Sequence, residues 1–182
     1  MDLDPILHIL RHGNQLKRTA RTGWVQRGVP TAEDVAAHSY GAAFTALVLA
    51  HLVAEPVDLG RLLSLAILHD LPESLTTDIP SPAWQFLPPG IKTEVERGAM
   101  HEILAGAPFQ ETWMGLWEEL HANETTEARL VHDADKLDMY VQALMYEQQT
   151  GNRHLGEFWD PPARMQFPIS QAIYEALCQE RQ

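Results

Sequence analysis

The stretch "LAILHDLPESLTTDIP" (residues 65–80) decides the fold. It starts as an apolar helical run, ends in His69-Asp70, and meets Pro72 two residues later. The buried face of a helix normally finishes on an apolar side chain or a glycine cap. This one finishes on an imidazole and a carboxylate, both strong metal ligands. A carboxylate in that place has to be solvated, paired or bound to a metal, because burying it bare costs several kcal/mol or more.

Working outward, the chain reads as helices joined by short Pro- and Gly-containing connections, with no alternating strand pattern. Asp4-Pro5 suits an N-cap followed by proline at the first helical position. Thr31 with Asp34 resembles a weak capping box opening a long helix, "AEDVAAHSYGAAFTALVLAHLVA". Asp58 can cap the helix that ends at His69-Asp70. Residues 78–90 hold Pro80, Pro82, Pro88 and Pro89 and are expected to form a rigid loop without regular helix. Helices are predicted over 91–105, 109–122 and 126–150, the last stopped by Gly151. A loop around Pro161-Pro162 leads to a short final helix from Ser170. With no repeat, low-complexity tract or interdomain linker, residues 1–182 read as one all-α domain.

Polar residues interrupt the apolar faces in a pattern. In the long helix Val35, Ala42, Ala46, Leu49 and Val53 share one stripe, and His38 falls within it. In the next helix Leu62, Leu65 and Ala66 form the stripe and His69 continues it. A lone buried histidine is more often a satisfied core residue than a ligand. Two histidines on facing buried surfaces, one beside an aspartate, shift the reading toward a metal, because a divalent ion offsets their shared desolvation. In "RLVHDADKLDMYVQALMY" the core stripe is Leu130, Ala134, Leu137, Val141 and Leu144, accompanied by Asp133, Asp135 and Asp138. Periodicity does not choose among the three aspartates. His101, His121 and His132 read as surface or packing residues, and "WMGLWEEL" as core or a dimer face.

Composition sets the limits. The chain carries 13 Lys+Arg against 25 Asp+Glu, a net charge of −12, which argues against a duplex nucleic acid partner. Cys178 has no partner in the chain, so no internal disulfide is possible, in keeping with a reducing cytoplasm. The N-terminal "MDLDPILHIL" lacks a basic signal-peptide region, and the longest apolar run carries His51, so no membrane span is expected.

Four motifs in register now resemble a known family. "LKRTARTGWVQRGV", "EDVAAHSYGAAF", "HDLPESLTTDIPSP" and "EARLVHDADKLDMYVQALMYE" are similar to the H…HD…D metal-dependent phosphohydrolases, the HD-domain superfamily, and within it to the 5′-deoxynucleotidase branch. The resemblance covers roughly residues 10–160 and implies an all-α HD-type helical bundle. Carried over residue by residue, it implies His38, His69, Asp70 and Asp135 as ligands of one divalent metal ion (manganese, cobalt, iron, zinc or magnesium). Glu73 and Asp78 would be the catalytic carboxyl groups, Arg21 would contact phosphate, and Trp24 would close on the sugar and disfavour a 2′-hydroxyl. The substrate would be a nucleoside 5′-monophosphate, deoxyribonucleotides favoured, and the protein a cytoplasmic homodimer. Other readings are an HD phosphohydrolase of another phosphoester, or a regulatory module that binds metal and nucleotide without turnover. Two positions depart from the family pattern. Ala37 stands where a glutamate often precedes the first metal histidine, and Arg21 and Trp24 are separated by Thr22-Gly23.

Such a site suits phosphate ester hydrolysis. A divalent metal lowers the pKa of bound water and offsets phosphoryl charge. An arginine adds a planar fork of donors to the phosphate, and a carboxyl group can protonate the leaving oxygen.

Overall fold

The computed structural model describes residues 2–84 and 86–181. Its helices are α1 (Asp4–Gln15), α2 (Thr22–Gln26), α3 (Val35–Ala50), α4 (Leu59–Leu68), α5 (Glu73–Thr76), α6 (Ser81–Trp84), α7 (Ile91–Leu104), α8 (Gln110–Ala122), α9 (Thr126–Thr150) and α10 (Pro168–Glu180). Short 3-10 turns cover Leu16–Arg18 and Arg153–Trp159. Among the described residues there is no strand, only an isolated bridge between Ala20 and Asp34. No described helix is long and apolar enough to cross a membrane. The all-α reading holds.

Local chemistry explains most boundaries. Asp58 caps α4 by accepting the Arg61 N–H at 3.0 Å, and Thr125 caps α9 by accepting the Ala128 N–H at 3.2 Å. Gly151, with φ of 66°, ends α9 in the left-handed conformation that glycine adopts without strain. Four expectations shift. Helix α3 starts at Val35 because Asp34, not Thr31, is the cap, accepting the Ala37 N–H at 2.8 Å, and it stops at Ala50. Helix α1 includes Asp4, and α10 begins at Pro168, two residues before Ser170. The proline-rich stretch contains the single turn α6, since proline is tolerated in a first turn where its missing N–H has no partner to lose. Gln85 of that stretch lies outside the described residues.

The central feature is α3 lying along α9, with α4 packed on both and α10 packed on α9. Ala42, Ala46, Ala134 and Ala143 are fully buried, and their small side chains let the two long helices approach closely. Val141 is exposed and Tyr140 buried instead, because the straight helix drifts away from the expected stripe. Two apolar clusters result. One gathers Ala46, Leu49, Leu62, Leu65, Leu130 and Leu137, and the other gathers Ile9, Val35, Leu68, Met100, Ile103 and Trp117. Along α3 the membership changes between Val35 and Ala46, and along α4 between Ala66 and Leu68. His38 lies in the first interval and His69 just past the second.

Candidate metal centre

His38 is one turn into α3 and fully buried against α9. His69 is the residue on which α4 ends, Asp70 follows it, and Asp135 projects from α9. His38 Nε2 lies 3.0 Å from Asp135 Oδ1, 3.4 Å from His69 Nε2 and 3.6 Å from Asp70 Oδ2. His69 Nε2 is 3.1 Å from the same Asp70 oxygen. Ligand atoms of His38, His69 and Asp135 all fall within 4.8 Å of one another.

The far side of each ring decides what this cluster is. His38 Nδ1 is 2.8 Å from Asp138 Oδ2, and His69 Nδ1 is 2.7 Å from the Ala66 carbonyl. A carboxylate and a carbonyl only accept, so each Nδ1 carries the proton and donates it. A neutral ring then points its Nε2 lone pair inward. Two lone pairs and two carboxylates therefore face one another, and Asp70 Oδ2 is buried with no hydrogen-bond partner. Acceptors alone repel; a cation between them resolves the arrangement. Without a metal, protons on the imidazoles take the cation's place. Burial would lower the His38 pKa, yet hydrogen bonds to Asp135 and Asp138 push it up to about 10. His69 is likewise raised against its burial by the Asp70 carboxylate. Burial is overcome at Asp70, held well below the usual carboxylate range chiefly by His69, and at Asp135, lowered to about 2 by His38. The pocket demands positive charge, and a divalent metal fits the donor set.

Around this cluster runs a cleft lined by Arg21, Trp24, Glu73, Asp78, Met139 and Phe158. One turn of α2 puts Arg21 and Trp24 on the same side of the chain, despite the two residues between them. Arg21 Nη1 lies 3.6 Å from Asp70 Oδ2. Although burial opposes it, the surrounding carboxylates, Asp70 foremost, hold the guanidinium in its charged form. Trp24 is almost wholly buried, its Nε1–H donating to Glu33 at 2.9 Å and its ring packed on Phe158 at 4.3 Å between centroids. It is thus a core anchor that also forms cleft wall. Glu73 is buried with Oε2 unpartnered, and burial together with Asp70 and Asp78 pushes its carboxyl up to about 9. Asp78 Oδ2 accepts the Thr22 N–H at 2.6 Å, and its carbonyl accepts the Thr22 hydroxyl at 2.8 Å. Asp78 therefore clamps the loop after α5 to α2.

The three aspartates of α9 separate cleanly. Asp135 enters the cluster and Asp138 supports His38. Asp133, fully buried, turns away and accepts the N–H groups of Gln166 and Phe167 at 2.8 and 2.9 Å, anchoring the start of α10. His132 bonds the Leu120 carbonyl, His121 bonds the Trp117 carbonyl and stacks on that indole, and His101 is exposed, so none joins the site. Of the "WMGLWEEL" pair, Trp117 is core and Trp113 packs beside it. Sequence reasoning missed Glu33, Phe158 and the cationic rim of Arg27, Lys92 and Lys136, because their proximity arises only from packing between distant elements.

Comparison with known proteins identifies the family. The HD domain family model matches residues 13–164. The 5′-deoxynucleotidase HDDC2 of Danio rerio is 32% identical over 183 residues, covering 98% of this chain and 89% of the relative. Its Bos taurus counterpart is 35% identical, covering 87% of this chain and 76% of the relative. Among solved structures, the PH0347 protein from Pyrococcus horikoshii OT3 superposes with a TM-score of 0.81 at 34% identity, covering 95% of this chain and 98% of that one. A match of this extent, over the very helices that carry the cluster, makes the chain a member of the HD-domain family, the metal-dependent phosphohydrolases.

Proposed function

We propose that the protein removes the 5′-phosphate from nucleoside monophosphates, deoxyribonucleotides favoured; its vertebrate relatives carry the name 5′-deoxynucleotidase. The observation that carries this reading is the inward-facing set His38, His69, Asp70 and Asp135 at the floor of a cleft rimmed by cations. A metal held there would supply an activated water and offset phosphoryl charge. Its imidazole pair favours a transition metal such as manganese, cobalt, iron or zinc over magnesium.

The chain's own residues do the rest. Arg21, beside Asp70, is placed to donate to the phosphate oxygens. Arg27, Lys92 and Lys136 on the cleft wall attract an anionic substrate to a chain whose net charge is −12. Glu73, buried with an unpartnered oxygen facing the cleft, is the proton donor to the leaving 5′-oxygen. Asp78 ties the loop after α5 to the start of α2, in the cleft that Arg21 and Glu73 also line. Trp24, pinned by Glu33 and Phe158, is a rigid wall against the sugar.

The same reading covers residues 1–182 as a single HD unit, cytoplasmic, without a nucleic acid partner. It also makes the protein a homodimer, supported by the exposed apolar face of Tyr40, Phe44 and Ile67 on α3 and α4. The test is phosphate release from matched ribo- and deoxyribonucleoside 5′-monophosphates, metal-stripped and with added manganese, cobalt or magnesium. Metal-dependent release favouring the deoxy forms is expected. No release from any monophosphate by a metal-loaded protein would overturn the reading.

A further inference from the structure

We infer that Asp138 is the positioning residue for His38, and that Gly41 is glycine so that the Asp138 carboxylate can reach the ring. The inference rests on the metal-centre reading above and extends it to a group that does not itself touch the metal. The two imidazoles are held in different ways. His69 gives its Nδ1–H to the backbone carbonyl of Ala66, an acceptor the helix supplies whatever the side chains. His38 has no such carbonyl and relies on a side chain from another helix, Asp138 Oδ2 at 2.8 Å. Ala37, the residue before His38, is exposed and contributes nothing to the ring.

Room for that carboxylate has been made on α3. Gly41 lies three residues after His38, hence on the same face. A Cβ built on Gly41 would sit 2.0 Å from Asp138 Oδ1 and 2.6 Å from its Cγ, closer than atoms can approach. Glycine within a helix costs about 1 kcal/mol relative to alanine, and at this position the cost has a return: any side chain would drive Asp138 off the ring. On α9, Asp138 lies three residues after Asp135, so one helical face delivers a ligand and the support for another. A carboxylate on Nδ1 fixes the tautomer, stops the ring turning and makes Nε2 a better donor to a cation.

The experiment is calorimetric titration of chelator-stripped protein with Mn²⁺, and with Co²⁺ while recording its visible spectrum, on wild type, Asp138→Ala, Asp138→Asn and Gly41→Ala. Asp138→Ala is expected to bind about 10- to 100-fold more weakly and to shift the cobalt spectrum. Asp138→Asn, whose amide oxygen still accepts the Nδ1–H, is expected to recover most of the affinity. Gly41→Ala should weaken binding with helical content intact, and it carries the test if Asp138→Ala does not fold. Wild-type affinity and spectrum in folded Asp138→Ala or Gly41→Ala would overturn the inference, as would Asp138→Asn binding no better than Asp138→Ala. A wild type that binds no metal would instead overturn the metal-centre reading on which it stands.

Discussion

Two carboxylates two residues apart on α9 meet opposite surroundings. Asp133 is surrounded by donors: the backbone N–H groups of Gln166 and Phe167 satisfy both its oxygens. Asp135 meets no backbone donor; its neighbours are His38 Nε2 and the His69 and Asp70 pair. Both are acidic residues on one largely buried helix, and nothing in their own identity separates them. The difference teaches that a buried carboxylate whose lone pairs are all met by donors holds structure together. One that turns toward two imidazoles and a second carboxylate at the floor of a cleft, as the partly exposed Asp135 does, is placed to hold a cation.

The widest test of this contrast is at the cluster. Asp70→Ala or His69→Ala should lower phosphate release about a thousandfold or more, as expected when several kcal/mol of charge stabilisation is removed. In metal-stripped protein the same variants should also melt lower than wild type, because protons on the histidines then pair them with Asp70 and Asp135 and the deletion breaks those pairs. Thermal melts with and without chelator, alongside the kinetic assay, check both halves.

Glu73→Gln comes next. Release should fall by about 10²- to 10⁴-fold, the usual weight of a positioned proton donor. Stability should move the other way. The folded Glu73 carboxyl titrates at about 9, above its unfolded value of 4.5, so its contribution is complete below the unfolded value and is lost as pH rises toward 9. Metal-free Glu73→Gln, which cannot ionise, should therefore melt higher than wild type at pH 8 and about equally at pH 4. A melt series across that window shows whether the site is held at the expense of the fold.

Asp133→Ala probes the structural side. It strands the buried N–H groups of Gln166 and Phe167 and should destabilise the protein by about 3 kcal/mol, measured by urea unfolding. The variant that remains folded should keep its KM. The smallest effect is expected at Trp24→Phe, which keeps a ring against Phe158 but loses the bond to Glu33. The preference for deoxyribonucleotides over ribonucleotides, read as a ratio of kcat/KM, should narrow by about tenfold or less.

Much of this was legible in the chain. The helices around His38 and His69 follow from their apolar stripes and from caps such as Asp58 and Gly151, all local signals. The placement of Asp135 was legible only through resemblance: Asp133 and Asp135 lie about 160° apart around α9, one on each side of the apolar stripe, and the stripe does not say which side meets the histidines. What separates them is where α10 and α3 pack, which no local pattern encodes. Asp138 and Gly41 lie almost 100 residues apart in sequence, and their contact exists only because α3 runs along α9. Val141 was misplaced for a related reason, a rigid heptad-like stripe being projected onto a straight helix. The polar anchors Glu33 to Trp24 and Thr22 to Asp78 likewise join elements that only the folded chain brings together.

The most direct measurement is the metal content of purified wild type, Asp135→Ala and Asp133→Asn after dialysis against limiting Mn²⁺. One equivalent in wild type and in Asp133→Asn, with little or none in Asp135→Ala, is the expected result. Full metal in Asp135→Ala, or its loss from a folded Asp133→Asn, would contradict the assignment of chemistry to one aspartate and structure to the other.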